Sequence, residues 1–455
     1  MSAGSLTRGL AERIVRSEPL KDAGVAEAVR AAVLDWIASA LAAASDTGAG
    51  MLLRALGIGS EGRNTGVSSV LGFRCRASAP DAALINGYLS HALDYDDVHE
   101  SIRGHPSAVL MSALLAEAEE RGSSGAELMA AYAVGAETMC RVGLALGNRH
   151  YEAGWHSTAT LGTLGAAAAC ARLANLDVDA TIRALGLAGT QSGGLRVHFG
   201  SPVKPLHAGI AARAGLFAAR LAATGFSGAA EPLDGPIGFL SLFGGEGARP
   251  ERIAEAWGQP WQIVEPGLWF KPYPCCSAAH HAADAALAIR SAREFAAEDV
   301  VRAEVVYPPG GDAALVVREP KTGAEGRFSA EYVVAAALSD GELGIGTFSE
   351  RPIRADLAAL AAKVSRRYDA DLAPAPNAMP KGRFTVLRVE LADGTTLTER
   401  VDCPRGSPGR PLSKEERAAK FADAARRMPD AWRRLPDKIS RLERIENLSN
   451  FIPDI

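Results

Sequence analysis

STATLGTLGAAAACARLA, residues Ser157–Ala174, is the stretch on which the fold class turns. It has seven alanines, two glycines and no proline, with Arg172 its one charge. Alanine favours helix, and so little side chain lets a second helix come close. The same reading extends outward on both sides. Val25–Ala44 has apolar residues at helical spacing. Ser78-Ala79-Pro80-Asp81 reads as a capping box with proline in the first turn, opening a helix through about Leu93. Pro106 starts another, to about Arg121, and Ser124 with Glu127 caps a third, to about Leu146. Val178–Ser192 and His207–Thr224 also fit helices. No strand pattern alternates with them, so this part is a helical bundle and not a βαβ fold.

The pattern changes near Glu265. Val300–Tyr307 alternates like a strand, and Phe384–Leu391 and Thr395–Val401 flank Ala392-Asp393-Gly394, a hairpin signal. Ser329–Leu338 and Ile353–Tyr368 read as helices between them, and Ser413 with Glu416 caps a helix in the charged tail. The expectation is a mainly α protein: a large all-helical bundle domain over 1–264, completed by C-terminal helices in 404–455, and a smaller α/β lid domain over 265–403. A domain joined by two crossings of the chain can hinge over a cleft. Lys271, on the lid side, should then approach Asp94 and His156.

Length and composition bound the function. The chain has 455 residues, 47% hydrophobic and 22% charged. That suits two or three soluble domains and excludes disordered, collagenous and disulfide-scaffold classes. A net charge of −4 provides no global basic field for nucleic acid or anionic lipid. Six cysteines without CxxC spacing, two of them the adjacent Cys275 and Cys276, suit a reduced, cytoplasmic protein. Met1–Ser17 has no continuous signal-peptide core, and the apolar stretches are broken by Gly or Arg, so no membrane span is expected.

The densest polar constellation is His91-Ala-Leu-Asp94-Tyr95-Asp96-Asp97-Val98-His99-Glu100, followed by Arg103-Gly104-His105-Pro106-Ser107. His91 and Asp94, at i and i+3, share a helix face, and His105 precedes a proline-started helix where anions bind. Asp96-Asp97-Val98-His99-Glu100 also fits DDxxE, a magnesium–diphosphate pattern, but no second acidic motif completes it, so no metal is expected. His156 opens an alanine-rich helix whose dipole favours neutral imidazole. Lys204 lies before a helix with His207 in its first turn, preceded by Arg196 and His198. Lys271-Pro272-Tyr273-Pro274-Cys275-Cys276 is an extended segment entering a helix, where Cys276 would have a lowered pKa. His280 and His281 are expected to pack or face water. Gly57-Ile58-Gly59-Ser60-Glu61-Gly62 matches GxGxxG but follows a helix and precedes a strand-like run, the reverse of the dinucleotide context, and reads as a loop.

Four of these motifs, in order, resemble the signatures of the MmgE/PrpD family. They are Asn86-Gly87 through His91 with Asp94-Tyr95-Asp96-Asp97 and His105-Pro106-Ser107; Gly154-Trp155-His156-Ser157-Thr158-Ala159-Thr160-Leu161-Gly162; Lys204-Pro205-Leu206-His207-Ala208-Gly209; and Lys271-Pro272-Tyr273-Pro274-Cys275-Cys276. The resemblance implies a homodimeric enzyme with a helical domain, a smaller α/β lid and the site between them. It implies proton transfer next to a carboxylate of a small di- or tricarboxylate, with no metal or organic cofactor. It implies functional roles for Asp94, His105, His156, Lys204 and Lys271, the expected catalytic residues. Substrate contacts are expected from Arg103, Arg196, His207, Tyr273 and Cys276, the two arginines supplying positive charge to a carboxylate. The family includes 2-methylcitrate dehydratases, cis-aconitate decarboxylases and an iminodisuccinate epimerase. Its decarboxylase branch has a histidine where this chain has Cys276, and a threonine after its aspartate pair where this chain has Val98. On those departures the expected order is dehydratase, then epimerase, then decarboxylase. The non-catalytic alternative is a helical dimer that only binds carboxylates.

Overall fold

The computed structural model describes residues 5–58 and 66–454. Of the Gly57–Gly62 motif, residues 59–62 lie outside the described residues. Two hydrophobic cores organise the molecule, a mainly α fold of two domains. The larger core gathers apolar side chains from Leu10 to Phe270 and again from Leu412 to Ile452, and the smaller runs from Tyr273 to Val401.

The Ser157–Leu173 helix is buried at every residue except Arg172 and runs through the middle of the larger core. It packs against the Gly125–Leu146 and Val203–Ala223 helices. Small residues set these distances. A Cβ on Gly209 would lie 2.1 Å from the Leu84 carbonyl oxygen, and one on Gly87 2.6 Å from the Gly209 Cα. The Ala79–Ala92 and Val203–Ala223 helices thus meet backbone against backbone, which brings His91 of one to Lys204 of the other. No single helix among the described residues is long and apolar enough to cross a membrane.

The Ser124–Glu127 and Ser413–Glu416 capping boxes form with both reciprocal bonds. At Ser78 only half forms. Its hydroxyl accepts from the Asp81 N–H, but the shorter aspartate takes the Ser78 hydroxyl rather than the backbone N–H. Two helix boundaries differ from the sequence reading. The Val203–Ala223 helix starts before Lys204, which therefore sits in its first turn. Ile353–Tyr368 is not one helix: it divides into an Ala355–Ala361 helix and a Val364–Tyr368 strand. There Arg366, buried between Asp312 and Glu331, and parallel pairing to Val300–Tyr307 override local helix preference.

The smaller domain has a four-stranded sheet in the order Val364–Tyr368, Val300–Tyr307, Thr385–Leu391, Thr396–Val401. Its first pair is parallel and the others antiparallel. The His280–Ala292 and Ala330–Asp340 helices share its core. The Lys414–Ala424 helix returns to the larger core and packs against Ala23–Ala42.

Candidate active site

The Ala79–Ala92 helix stops directly after His91, and Asp94 follows with a φ of 51°. His91 and Asp94 are therefore not on one helix face; a left-handed turn separates them. Arg103, near the other end of the same loop, has a φ of 48°. Such backbone costs about 1–2 kcal/mol at a non-glycine residue and persists only where surroundings enforce it. Here they do. Val98 and Trp269 exchange two backbone hydrogen bonds of 2.9 Å, and the His99 N–H donates to the Gly104 carbonyl. His99 accepts from the Ser101 N–H at Nδ1 and donates to the Gln262 carbonyl from Nε2, which assigns its tautomer.

The loop presents a buried cluster. Asp94 Oδ1 lies 2.6 Å from Lys271 Nζ, 3.2 Å from Lys204 Nζ and 3.4 Å from His105 Nε2. Asp96 faces His91 Nδ1 at 3.0 Å, and His91 Nε2 lies 3.0 Å from Lys204 Nζ. The carboxylate and ammonium partners assign the proton of His91 to Nδ1, leaving Nε2 to accept from Lys204. His105 Nδ1 is 3.1 Å from Asp96 Oδ2 but off the hydrogen-bonding direction, and it has no other partner. His156 caps its helix by position only: its Nδ1 shares a proton with His207 Nδ1 at 3.1 Å, and its ring stacks on His91.

Charge follows from burial and these neighbours. Burial alone would raise Asp94, yet Lys204 and Lys271 hold it well below the usual carboxylate range. Burial would likewise raise Asp96, which His105 and His91 bring well below that range. Lys271, despite burial, is raised by Asp94 and Asp96. Burial pushes His91 down to about 4 and His207 to about 4, and pushes His105 and His156 down as well. Asp94 thus faces the two lysines, and Asp96 faces two histidines whose burial disfavours a charged ring.

Beside this cluster opens a cavity of about 810 Å³. Asp94, Arg103, His105, His156, Arg196, Lys204 and Cys276 line it. Lys271 and His207 do not; they lie behind its wall, against Asp94 and His156. Tyr273 is turned away from the cavity, with its hydroxyl on Asp284 Oδ1 at 2.7 Å. The thiol of Cys276 is also unlike its sequence reading: burial pushes its pKa up, outweighing Lys271 and the short helical turn that follows. His280 and His281 pack in the interior and donate to, or accept at, nothing in the cavity; their Nε2 atoms meet the Cys275 and Met379 carbonyls.

Several contributors carry no motif. Lys420, from the charged tail, is buried with Nζ 2.6 Å from Asp35 Oδ1, 2.7 Å from the Tyr95 carbonyl and 3.1 Å from the Lys271 carbonyl. It ties the backbone of both cluster segments together from below. Arg327 reaches from the smaller domain to the Ala92 carbonyl at 2.9 Å. Arg383 and Lys381 line the cavity mouth.

The DDxxE carboxylates do not converge. Asp96 turns to the histidines, Asp97 accepts from the Ser107 N–H and hydroxyl, and Glu100 is exposed. His91, Asp94, Asp96 and His105 do bring ligand atoms within 4.8 Å of one another. Lys204 and Lys271 already supply positive charge at that quartet.

Residues 10–251 match the family model of the MmgE/PrpD N-terminal domain, and residues 273–443 that of the MmgE/PrpD C-terminal domain. The chain belongs to the MmgE/PrpD family. Among relatives, it is 31% identical to human cis-aconitate decarboxylase over 381 residues, 81% of this chain and 77% of that protein. It is 30% identical to the mouse cis-aconitate decarboxylase over 75% of this chain and 70% of that one. It is also 30% identical to cis-aconitate decarboxylase-like protein oryM of Aspergillus oryzae, over 84% and 81%. In this MmgE/PrpD chain the four motifs contribute the cluster and its immediate backing, whereas the mouth draws on loops outside them.

Proposed function

We propose that this chain is a lyase that removes CO₂ from a small tricarboxylate of the cis-aconitate kind, with charge and proton supplied by its own side chains. The observation that carries this reading is the similarity to human cis-aconitate decarboxylase over 81% of the chain. The preference for dehydration drawn from the motifs gives way to it.

The reaction needs three things. Cations must hold the carboxylates, a C–C bond must break, and a carbon must gain a proton. In the allylic form, the electron pair of the departing carboxylate becomes a new C=C bond as CO₂ leaves. The old C=C pair moves to its far carbon and takes a proton, so one proton is consumed per CO₂ released. His105 and His156 line the cavity and are neutral in the free protein. A polyanion entering beside them favours their protonated form, so the substrate itself makes the acid. Asp94 and Asp96 support an imidazolium at His105, and the Phe199 and Phe328 ring centres lie 5.5 and 5.4 Å from Lys204 Nζ.

Cys276 favours a second reading, proton transfer with loss of water instead of CO₂. A thiol kept neutral by burial cannot do what the imidazole found in the decarboxylase branch would do at that wall. One experiment separates the two. Incubation with cis-aconitate and with 2-methylcitrate in D₂O, followed by NMR, should give methylenesuccinate carrying one deuterium from the first and no reaction of the second. Dehydration of 2-methylcitrate with no CO₂ released from cis-aconitate would replace the first reading by the second.

A further inference from the structure

The inner cluster is balanced in charge, so it leaves the negative charge of a polycarboxylate unmet. The unbalanced cations lie elsewhere in the cavity. Arg103, Arg196, Lys381 and Arg383 line its mouth, the first two from the helical domain and the last two from a loop of the smaller one. Among the described residues none of the four makes an ion pair. The Arg103 and Arg196 guanidinium carbons lie 4.2 and 3.7 Å from the centre of the same Tyr151 ring. Arg196 donates to the Tyr151 carbonyl at 2.8 Å, and Arg383 to the Gly311 carbonyl at 2.8 Å. These groups are held by neutral carbonyls and an aromatic face, which orient a guanidinium without cancelling its charge. The Nε of Arg196 is buried with no partner. Glu100 and Glu152 are the mouth's acids, so cations outnumber them by two. Like charges gathered this way are unfavourable until an anion joins them.

We infer that Arg103, Arg196, Lys381 and Arg383 form a separate anion subsite, which takes the substrate carboxylate farthest from the reacting carbon and bridges the two domains through it. The inference rests on the proposed function only in taking the ligand to be a polycarboxylate. The inner cluster does the proton chemistry; the mouth selects how many carboxylates the ligand carries.

Calorimetric titration of the full chain with two unreactive probes tests this. Propane-1,2,3-tricarboxylate has no double bond and cannot lose CO₂ by the allylic route; methylsuccinate is the same skeleton without one terminal carboxylate. The wild type should bind the tricarboxylate at least tenfold more tightly than methylsuccinate. Arg103→Gln and Arg383→Gln should each cut that ratio at least threefold, with methylsuccinate affinity changed less than twofold. Lys381→Gln, at an exposed position that the core does not need, should lower the ratio in the same direction. A wild-type ratio near one, or a ratio that survives in these variants, overturns the subsite. Affinities for both probes falling equally also overturns it, because the mouth would then act as a general field. Release of CO₂ from cis-aconitate with an unchanged ratio in the variants sinks the subsite alone. The expected ratios without any CO₂ release sink the reaction proposal alone.

Discussion

The inner cluster and the cavity mouth both concentrate charge, and they handle it in opposite ways. Around Asp94 and Asp96 every ionised group is buried within about 3.5 Å of an opposite or neutral hydrogen-bonding partner. At the mouth, half-buried arginines stand together without an ion pair among the described residues, held by carbonyls and aromatic rings. Buried charge is tolerable only when compensated, because desolvation costs several kcal/mol per ion. Partly hydrated charge can be left open and still bind. The two regions therefore lend themselves to different work, proton transfer inside and charge recognition outside.

Asp94→Asn should break the contrast most severely. It leaves the Lys204 and Lys271 ammonium groups facing each other without their shared carboxylate, and loss of one partner of a buried pair costs about 3–5 kcal/mol. Denaturant unfolding should show a drop of that size together with loss of turnover; a stable, active variant would mean that Asp94 is dispensable. Next in size come His105→Gln and His156→Gln. A glutamine keeps a donor and acceptor but relays no proton, so whichever histidine is the acid should lose about 10²–10⁴-fold in kcat with the fold intact. Near wild-type kcat in both folded variants would move the proton to Asp94 or Lys271.

Lys420→Met removes the brace beneath the cluster and strands Asp35, whose own carboxyl is raised by burial. Stability should fall by about 3 kcal/mol, and adding Asp35→Leu should recover most of it, since a whole buried pair can be replaced by apolar groups at little cost. As Lys420 positions rather than reacts, kcat should fall more than KM changes, and Lys420→Arg should restore part of kcat. A kcat unchanged in Lys420→Met would leave it a purely structural contact.

Acid should test the interior alone. His99 and His281 are each pushed by burial from 6.5 down to about 4. The folded form prefers them neutral, whereas the unfolded chain binds protons below 6.5. Their contribution is therefore complete above pH 6.5 and is lost as pH falls toward 4, at about 3 kcal/mol per group. The midpoint of thermal unfolding should drop across that window, and His99→Gln, which can still donate to Gln262, should flatten the drop. Parallel profiles would assign the acid sensitivity to other groups. The smallest effect belongs to the mouth: Arg103→Gln should raise KM about tenfold with kcat unchanged, and 0.5 M salt should shrink the difference by screening. A kcat effect would place Arg103 with the inner groups.

Much of this molecule was legible in its amino acids. Alanine at Ser157–Leu173, the proline starts and the serine caps specify helices locally, so the mainly α class follows without tertiary information. The polar residues Asp94, His105, His156 and Lys204 stood out because charged groups crowd otherwise apolar, alanine-rich helices, and they do meet in one cluster. What the chain could not announce was any property that depends on a distant partner. The Val364–Tyr368 strand exists because of its neighbour Val300–Tyr307. The Cys276 thiol is raised because burial outweighs a helix end. Tyr273 turns to Asp284, Lys420 reaches the cluster from the tail, and Arg383 joins Arg103 across two domains. Backbone propensity and side-chain chemistry act over a few residues and are written in the sequence. Desolvation, charge compensation and the closing of a cavity act over ångströms between residues hundreds apart, and only the packed chain decides them.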